Sequence, residues 1–158
     1  MITTTEKKQL RHKMIQACIA KQQFLIDDFK ERIKDLTLKE TPVSNEPYDQ
    51  KDIAAVAASV TELETLTKQL AFANEELALL ETLQRSEHID RKQVAFGAIV
   101  ITNHHTFFIS ASLEKFIVDG HVYIGISVQS PIYKTMEGKV KGDTFSFNSI
   151  HYNIKDIF

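Results

Sequence analysis

The stretch TPVSNEPYDQKD, residues 41–52, separates two long runs of helix-period sequence and so decides how the first half of the chain folds. Before it, apolar residues recur at Ile15, Cys18/Ile19, Leu25/Ile26, Phe29, Ile33 and Leu36, with Gln22 as a polar interruption. After it, Ile53, Val56, Val60, Leu63, Leu66, Leu70, Ala73, Leu77, Leu80 and Leu83 repeat the pattern. This alternation of three and four is a narrow helical stripe. Neither run contains glycine. The only prolines of the first half, Pro42 and Pro47, both fall in the break, where the roughly 3 kcal/mol cost of a proline inside a helix is avoided. At ~1.5 Å per residue each arm would extend roughly 45 to 50 Å. Two such stripes joined by a short loop bury each other, so residues 1–86 are expected to form an antiparallel coiled-coil hairpin with its tip at about 41–52. Three carboxylates, Glu46, Asp49 and Asp52, belong to that tip.

Composition divides the chain near residue 88. All five glycines and seven of the ten phenylalanines come after it. The chain has 158 residues, 43% of them hydrophobic and 25% charged, a balance usual for globular domains. Its net charge of −2 gives no general nucleic-acid signal. Basic residues do gather early, at Lys7, Lys8, Arg11, Lys13, Lys21, Lys30, Arg32 and Lys34, whereas Glu62, Glu64, Glu75, Glu76 and Glu81 make the second arm acidic. The first arm either faces an anionic partner or is the solvated flank of a coiled coil. One cysteine, Cys18, excludes an internal disulfide and sits on the apolar stripe, where packing explains it. The opening MITTTEKKQLRHK contains no apolar run long enough for a signal segment or membrane span, so a cytoplasmic protein without membrane attachment is expected; separately, a monomer is expected.

QRSEHIDRK, residues 84–92, reads as a polar connector to a second domain at 87–158. From Val94 the period becomes strand-like: residues 94–101, 106–112, 122–128, 144–147 and 151–157 are rich in β-branched and aromatic side chains. Asp119-Gly120 and Lys141-Gly142-Asp143 read as turns. Ser130-Pro131 followed by IYKTMEG predicts a short helix with Ser130 as N-cap, Pro131 in the first position and Gly138 as its stop. The expected fold is therefore α+β, a long helical hairpin followed by a small antiparallel sheet carrying one short helix. Phe107, Phe108, Phe116, Phe145 and Phe147 would supply its core.

The segment ISVQSPIYKTMEGKVKGDTFSFNSIHYNIKDIF, residues 126–158, closely resembles the end of the Gre family of bacterial transcription elongation (transcript cleavage) factors, of the GreA/GreB type. The residues that carry the resemblance are Ser130-Pro131-Ile132, then Gly138-Lys139-Val140-Lys141-Gly142-Asp143, then Tyr152-Asn153-Ile154. Val94-Ala95-Phe96-Gly97 is similar to the strand that opens the family's domain. The resemblance implies an FKBP-like second domain that docks at the rim of the RNA polymerase secondary channel while the coiled coil extends down it. Ser130, Pro131 and Ile132 would be a partner-facing or structural motif. It further implies that tip carboxylates help hold a second Mg²⁺ shared with the polymerase and orient a water, so that the polymerase cleaves the 3′ end of backtracked nascent RNA. Two cations can stabilise the attacking and leaving oxygens together, and Mg²⁺, which keeps several waters, needs only one or two added carboxylates. The protein would have no cofactor and no activity of its own.

At the tip the family pattern is Asp-Leu-x-Glu-Asn-x-Glu-Tyr, and this sequence reads Glu46-Pro47-Tyr48-Asp49-Gln50-Lys51-Asp52-Ile53. The spacing is kept and each acid type is exchanged. Glu46 and Asp49 would serve the metal, with Asp52 in support; Pro47 replaces a leucine and Asn45 a glycine. A methylene more or less moves a carboxylate by roughly 1.3 to 1.5 Å, and a misplacement near 1 Å can cost ~10²-fold in a positioned reaction. The same residues also have a purely structural reading: Ser44 or Asn45 as a helix cap, and acids complementing the helix dipole for about 0.3 to 1 kcal/mol each. Lys39 and Lys51 flank them and can serve phosphate contact or solubility.

Three functions stay open: a cleavage factor, a secondary-channel regulator or inhibitor without cleavage, and a prolyl isomerase or chaperone built on an FKBP-like domain. The last lacks the tryptophan that usually floors such a pocket, since the chain has none. His104-His105 has no cysteine or acidic partner at ligand spacing, and His12, His88, His121 and His151 are scattered. No phosphate loop, dinucleotide fingerprint or nucleophile motif is present.

Overall fold

The computed structural model describes residues 2–39 and 50–158, with the side chains of residues 39, 50 and 52 left aside. Two 36-residue helices, α1 (Thr4–Lys39) and α2 (Gln50–Arg85), come first. Strands β1 (Ile99–Thr102), β2 (Thr106–Ile109), β3 (Glu114–Val118) and β4 (His121–Ile126) follow, then α3 (Pro131–Met136), β5 (Thr144–Phe147) and β6 (Ile150–Ile157). Helix α1 starts with a reciprocal capping box: the Thr3 amide donates to Glu6 Oε2 at 2.7 Å, and the Glu6 amide donates to Thr3 Oγ1 at 3.2 Å.

Two compact units result, Met1–Lys21 with Glu76–Phe158, and Gln22–Glu75. In the smaller unit Ile26, Leu66 and Ala73 are buried, and so is Gln22, whose Nε2 donates to the Ala73 carbonyl at 2.9 Å. The polar interruption in the stripe is thus a cross-helix hydrogen bond. Ile53, Val56 and Val60, expected on the buried stripe, are 57%, 42% and 41% exposed. A helix stripe with one neighbouring helix has no third element to close over it, so its apolar period does not guarantee burial.

In the larger unit the six strands lie in the order β3-β4-β2-β1-β6-β5. All neighbours are antiparallel except β2 and β4, which run parallel, Phe108 opposite Gly125. Successive side chains in a strand alternate faces, and here both faces are covered. Phe107, Val100 and Ile109 join Tyr133 and Met136 of α3 with Phe145, Tyr152 and Ile154. Phe108, Ile99 and Phe116 join Met14, Ile15 and Cys18 of α1, Leu80 and Leu83 of α2, and Phe158. Each buried large apolar side chain contributes about 1.5–3 kcal/mol. The first turns of α1 and the last of α2 therefore belong to the same core as the sheet.

The first strand begins at Ile99 rather than Val94, because Gly97 takes φ +88° and turns the chain just before it. Strand β3 was not expected from the sequence. Its burial pattern shows only Phe116 and Val118 inside, and β3 is an edge strand with Ile117 66% exposed. The Asp119-Gly120 turn is where the sequence places it, with φ of 50° and 79°. Asn148 and Ser149, at 51° and 65°, make the same kind of two-residue turn between β5 and β6.

Burial pushes the Cys18 thiol up to about 12, with Lys21 acting in the opposite direction. The folded pKa lies above the unfolded value of about 8.5, so the neutral thiol's contribution is complete below that pH and is lost as pH rises toward 12. Urea unfolding at pH 7 to 10.5 should show stability falling at the alkaline end, with a shallower fall in Cys18→Ala. At pH 8 a thiol reagent should label the wild type only after unfolding. Parallel pH profiles for the two proteins would contradict this.

Candidate functional site

Of the tip residues, Glu46 and Asp49 lie outside the described residues. Asp52 is in the first turn of α2, and the structure describes its backbone alone. Among the described residues no group of three or more His, Cys, Asp or Glu could hold a metal ion. His104 and His105 lie in the bend between β1 and β2, their rings against Tyr152 at 5.6 and 6.2 Å between centroids.

The motif residues of the second domain do come together. Ser130 caps α3: its Oγ accepts from the Tyr133 amide at 3.4 Å and donates to the Ser127 carbonyl at 2.7 Å. Pro131 occupies the first helical turn, where a missing N–H costs nothing. Ile132 packs half-buried on the α3-side core. The helix stops at Gly138, φ +73°, whose amide donates to the Val94 carbonyl at 2.9 Å, and Val94 in turn donates to Lys139 O at 2.8 Å. The turn after it closes on itself and on β6. Val140 N donates to Asp143 Oδ2 at 2.9 Å, Gly142 N to Ile154 O at 2.9 Å, and Ile154 N to Asp143 O at 2.9 Å. Gly142 has φ +95°, a conformation a side chain would strain. Tyr152 stacks on Phe145, 4.8 Å between centroids and 11° between planes. Segments 94–97, 130–132, 138–143 and 152–154 are thus parts of one packed corner of the sheet, and the hydrogen bonds they make are structural.

Three members of the charge pattern, Arg11, Lys21 and Glu76, make contacts that the pattern did not indicate. Arg11 and Glu76 are 4% and 6% exposed, so Arg11 is not part of a solvated flank of the first arm. Glu76 Oε2 accepts from the Ser112 amide at 2.7 Å. Lys21 Nζ donates to the carbonyls of Leu113 and Lys115 at 2.8 and 2.6 Å. One residue from each helix therefore grips the link between β2 and β3. The buried position on α2 is Glu76 rather than its apolar neighbour Leu77, which is half-buried. Spacing held the signal: Ala73, Glu76, Leu80 and Leu83 follow a three-four-three rhythm in which a carboxylate takes a core position.

No helix is long and apolar enough to cross a membrane among the described residues. No protein-family model matches the chain, and no curated protein matches it. Solved structures with a similar arrangement include that of the transcription factor Gfh1, at 15% identity, covering 89% of this chain and 93% of that one with a TM-score of 0.34. Another is Gfh1 from Thermus aquaticus, at 18% identity, covering 90% and 94%, also at 0.34. A superposition that loose assigns nothing to this chain.

Glu76→Ala removes the Ser112 acceptor and leaves space at the helix–sheet junction. It should cost about 2 to 4 kcal/mol in urea unfolding, and Glu76→Gln, which keeps an oxygen and the shape, about half as much. Losses in both variants as small as those of exposed surface substitutions would show that this bond does not hold the β2–β3 link.

Proposed function

We propose that the chain is a Gre-type factor that binds RNA polymerase at its secondary channel and, through the carboxylates of residues 41–52, promotes Mg²⁺-dependent cleavage of backtracked RNA. The observation that carries this reading is the joint presence, in order, of two 36-residue helices around an acidic break and a sheet domain with four segments of the family's pattern. Those segments are Val94–Gly97, Ser130–Ile132, Gly138–Asp143 and Tyr152–Ile154. Their agreement is more specific than any one of them, because each occupies its own place in the order of the domain.

The donor chemistry of the break suits the role. Glu46, Asp49 and Asp52 are hard oxygen ligands within seven residues, the type Mg²⁺ takes. When bound, the shared ion supplies Lewis-acid stabilisation of the attacking and leaving oxygens. Glu46 and Asp49 would complete its oxygen shell and hold the attacking water by accepting its protons in hydrogen bonds, and Asp52 would support them. The remainder of the active site belongs to the polymerase and the RNA, so the chain alone is inactive.

A specific observation favours a second reading, a channel-occupying regulator without cleavage. All three acids are exchanged for the other type, and Pro47 stands where the family has a leucine. A swap of Asp for Glu, or the reverse, moves a carboxylate by about one methylene, the scale at which positioned reactions fail.

A stalled, backtracked complex of the cognate polymerase separates the two. The 3′ RNA cleavage rate is compared without factor, with this protein, and with Glu46→Ala/Asp49→Ala. Stimulation in the wild type that falls about 10²-fold or more in the double variant, with binding retained, supports the metal-assisting role. Binding without stimulation makes the chain a regulator. Absence of binding to the polymerase would refute both.

A further inference from the structure

A cleft of about 330 Å³ lies where the first turns of α1 meet the segment that follows α2, within the larger unit. Its size is at the small end of small-molecule sites, which run about 300–1,000 Å³. Four cationic side chains line it, Lys7, Lys8 and Arg11 from α1 and Lys92 from the connector, together with the acids Glu87 and Asp90. Both acids are already engaged: Glu87 faces His12 Nδ1 at 3.1 Å, and Asp90 pairs with Lys92 at 2.6 Å. Lys7 is held by Asp156 at 2.7 Å. Lys8 is exposed and makes no ion pair among the described residues.

Arg11 is the unusual member. It is 4% exposed, its Nη1 donates to the Gly97 carbonyl, and its Nη2 has no acceptor among the described residues. Its guanidinium carbon lies 5.8 Å from the centroid of the Phe158 ring. Burial and the like charge of Arg91 bring its pKa down to about 10, against the weaker pull of Asp90 and Glu87. A buried cation short of hydrogen-bond acceptors is costly, and a compact anion with several oxygens is the complement that relieves it. The planar guanidinium fork matches phosphate oxygens, and lysines add charge without demanding geometry.

We propose that this cleft binds a phosphate-type anion, as free phosphate or diphosphate or as the phosphate end of a nucleotide, with Arg11 and Lys8 as principal contacts and Lys7 and Lys92 at the rim. Arg11 lines the cleft, and its Nη2 is the donor left without an acceptor among the described residues. This site is independent of the acidic break and of any role on a polymerase.

The test is isothermal titration calorimetry of the full chain at fixed ionic strength with inorganic phosphate, pyrophosphate and ADP as probes, on wild type, Lys8→Ala and Arg11→Gln. Saturable one-to-one binding of at least one probe is expected, weakened about tenfold or more in each variant. Equal affinity for pyrophosphate and ADP identifies the phosphate as the group recognised, and tighter ADP binding identifies a nucleotide. Lys8 is on the surface, so Lys8→Ala keeps the test decisive even where Arg11→Gln fails to fold. The absence of saturable binding by all three probes, or affinities unchanged in Lys8→Ala, would overturn the proposal.

Discussion

Phe108 is fully buried against Phe116 on one face of the sheet, in the core formed by the bases of α1 and α2, while its neighbour Phe107 is buried on the opposite face beside α3. The larger unit depends on this alternation. A six-stranded sheet with apolar residues on both faces needs a cover on each, and one six-residue helix covers only one. The second cover comes from Met14, Ile15, Cys18, Leu80 and Leu83, residues of helices that continue into the other unit. Glu76 and Lys21 add direction to packing that is otherwise non-directional, by fixing the amide of Ser112 and the carbonyls of Leu113 and Lys115.

Periodicity made the two helices and their break readable, because glycine and proline are absent from the runs and concentrated elsewhere. The α3 cap was equally legible, since Ser-Pro before an apolar pair has few other meanings. Strand β3 was not. LEKFIVDG combines an exposed edge with three buried positions, Leu113, Phe116 and Val118, and neither simple alternation nor a continuous apolar run stands out in it. Periodicity also could not say what each stripe packs on. Ile53 has the spacing of a buried position and is exposed, whereas Glu76 has the chemistry of a surface residue and is buried. Burial is a property of neighbours, and neighbours are set by topology.

The acidic break is a reading of residue types alone, since Glu46 and Asp49 lie outside the described residues and Asp52 is described by its backbone. Three acids in seven residues announce a hard-oxygen donor set whatever their conformation, yet their worth to a reaction depends on ångström-scale placement that no spacing rule encodes. The motif residues of the second domain are the reverse case. They read as a family signature, and their hydrogen bonds explain why such residues are needed at all: Gly138 and Gly142 for positive φ, Asp143 to close a turn, Ser130 to cap a helix. They specify a scaffold.

The larger unit is assembled from Met1–Lys21 and Glu76–Phe158, chain segments separated by more than fifty residues. During synthesis, the apolar residues of the first turns of α1 emerge long before Ile99, Phe108 and Phe116 exist to receive them. Closing so long a loop carries an entropic cost that local helix formation does not, so Met14, Ile15 and Cys18 lack their strand neighbours until the chain beyond α2 has been made. Partial helix pairing with Leu80 and Leu83 is the earliest shelter available to them, which makes α2 a temporary guardian of residues whose final neighbours are strands.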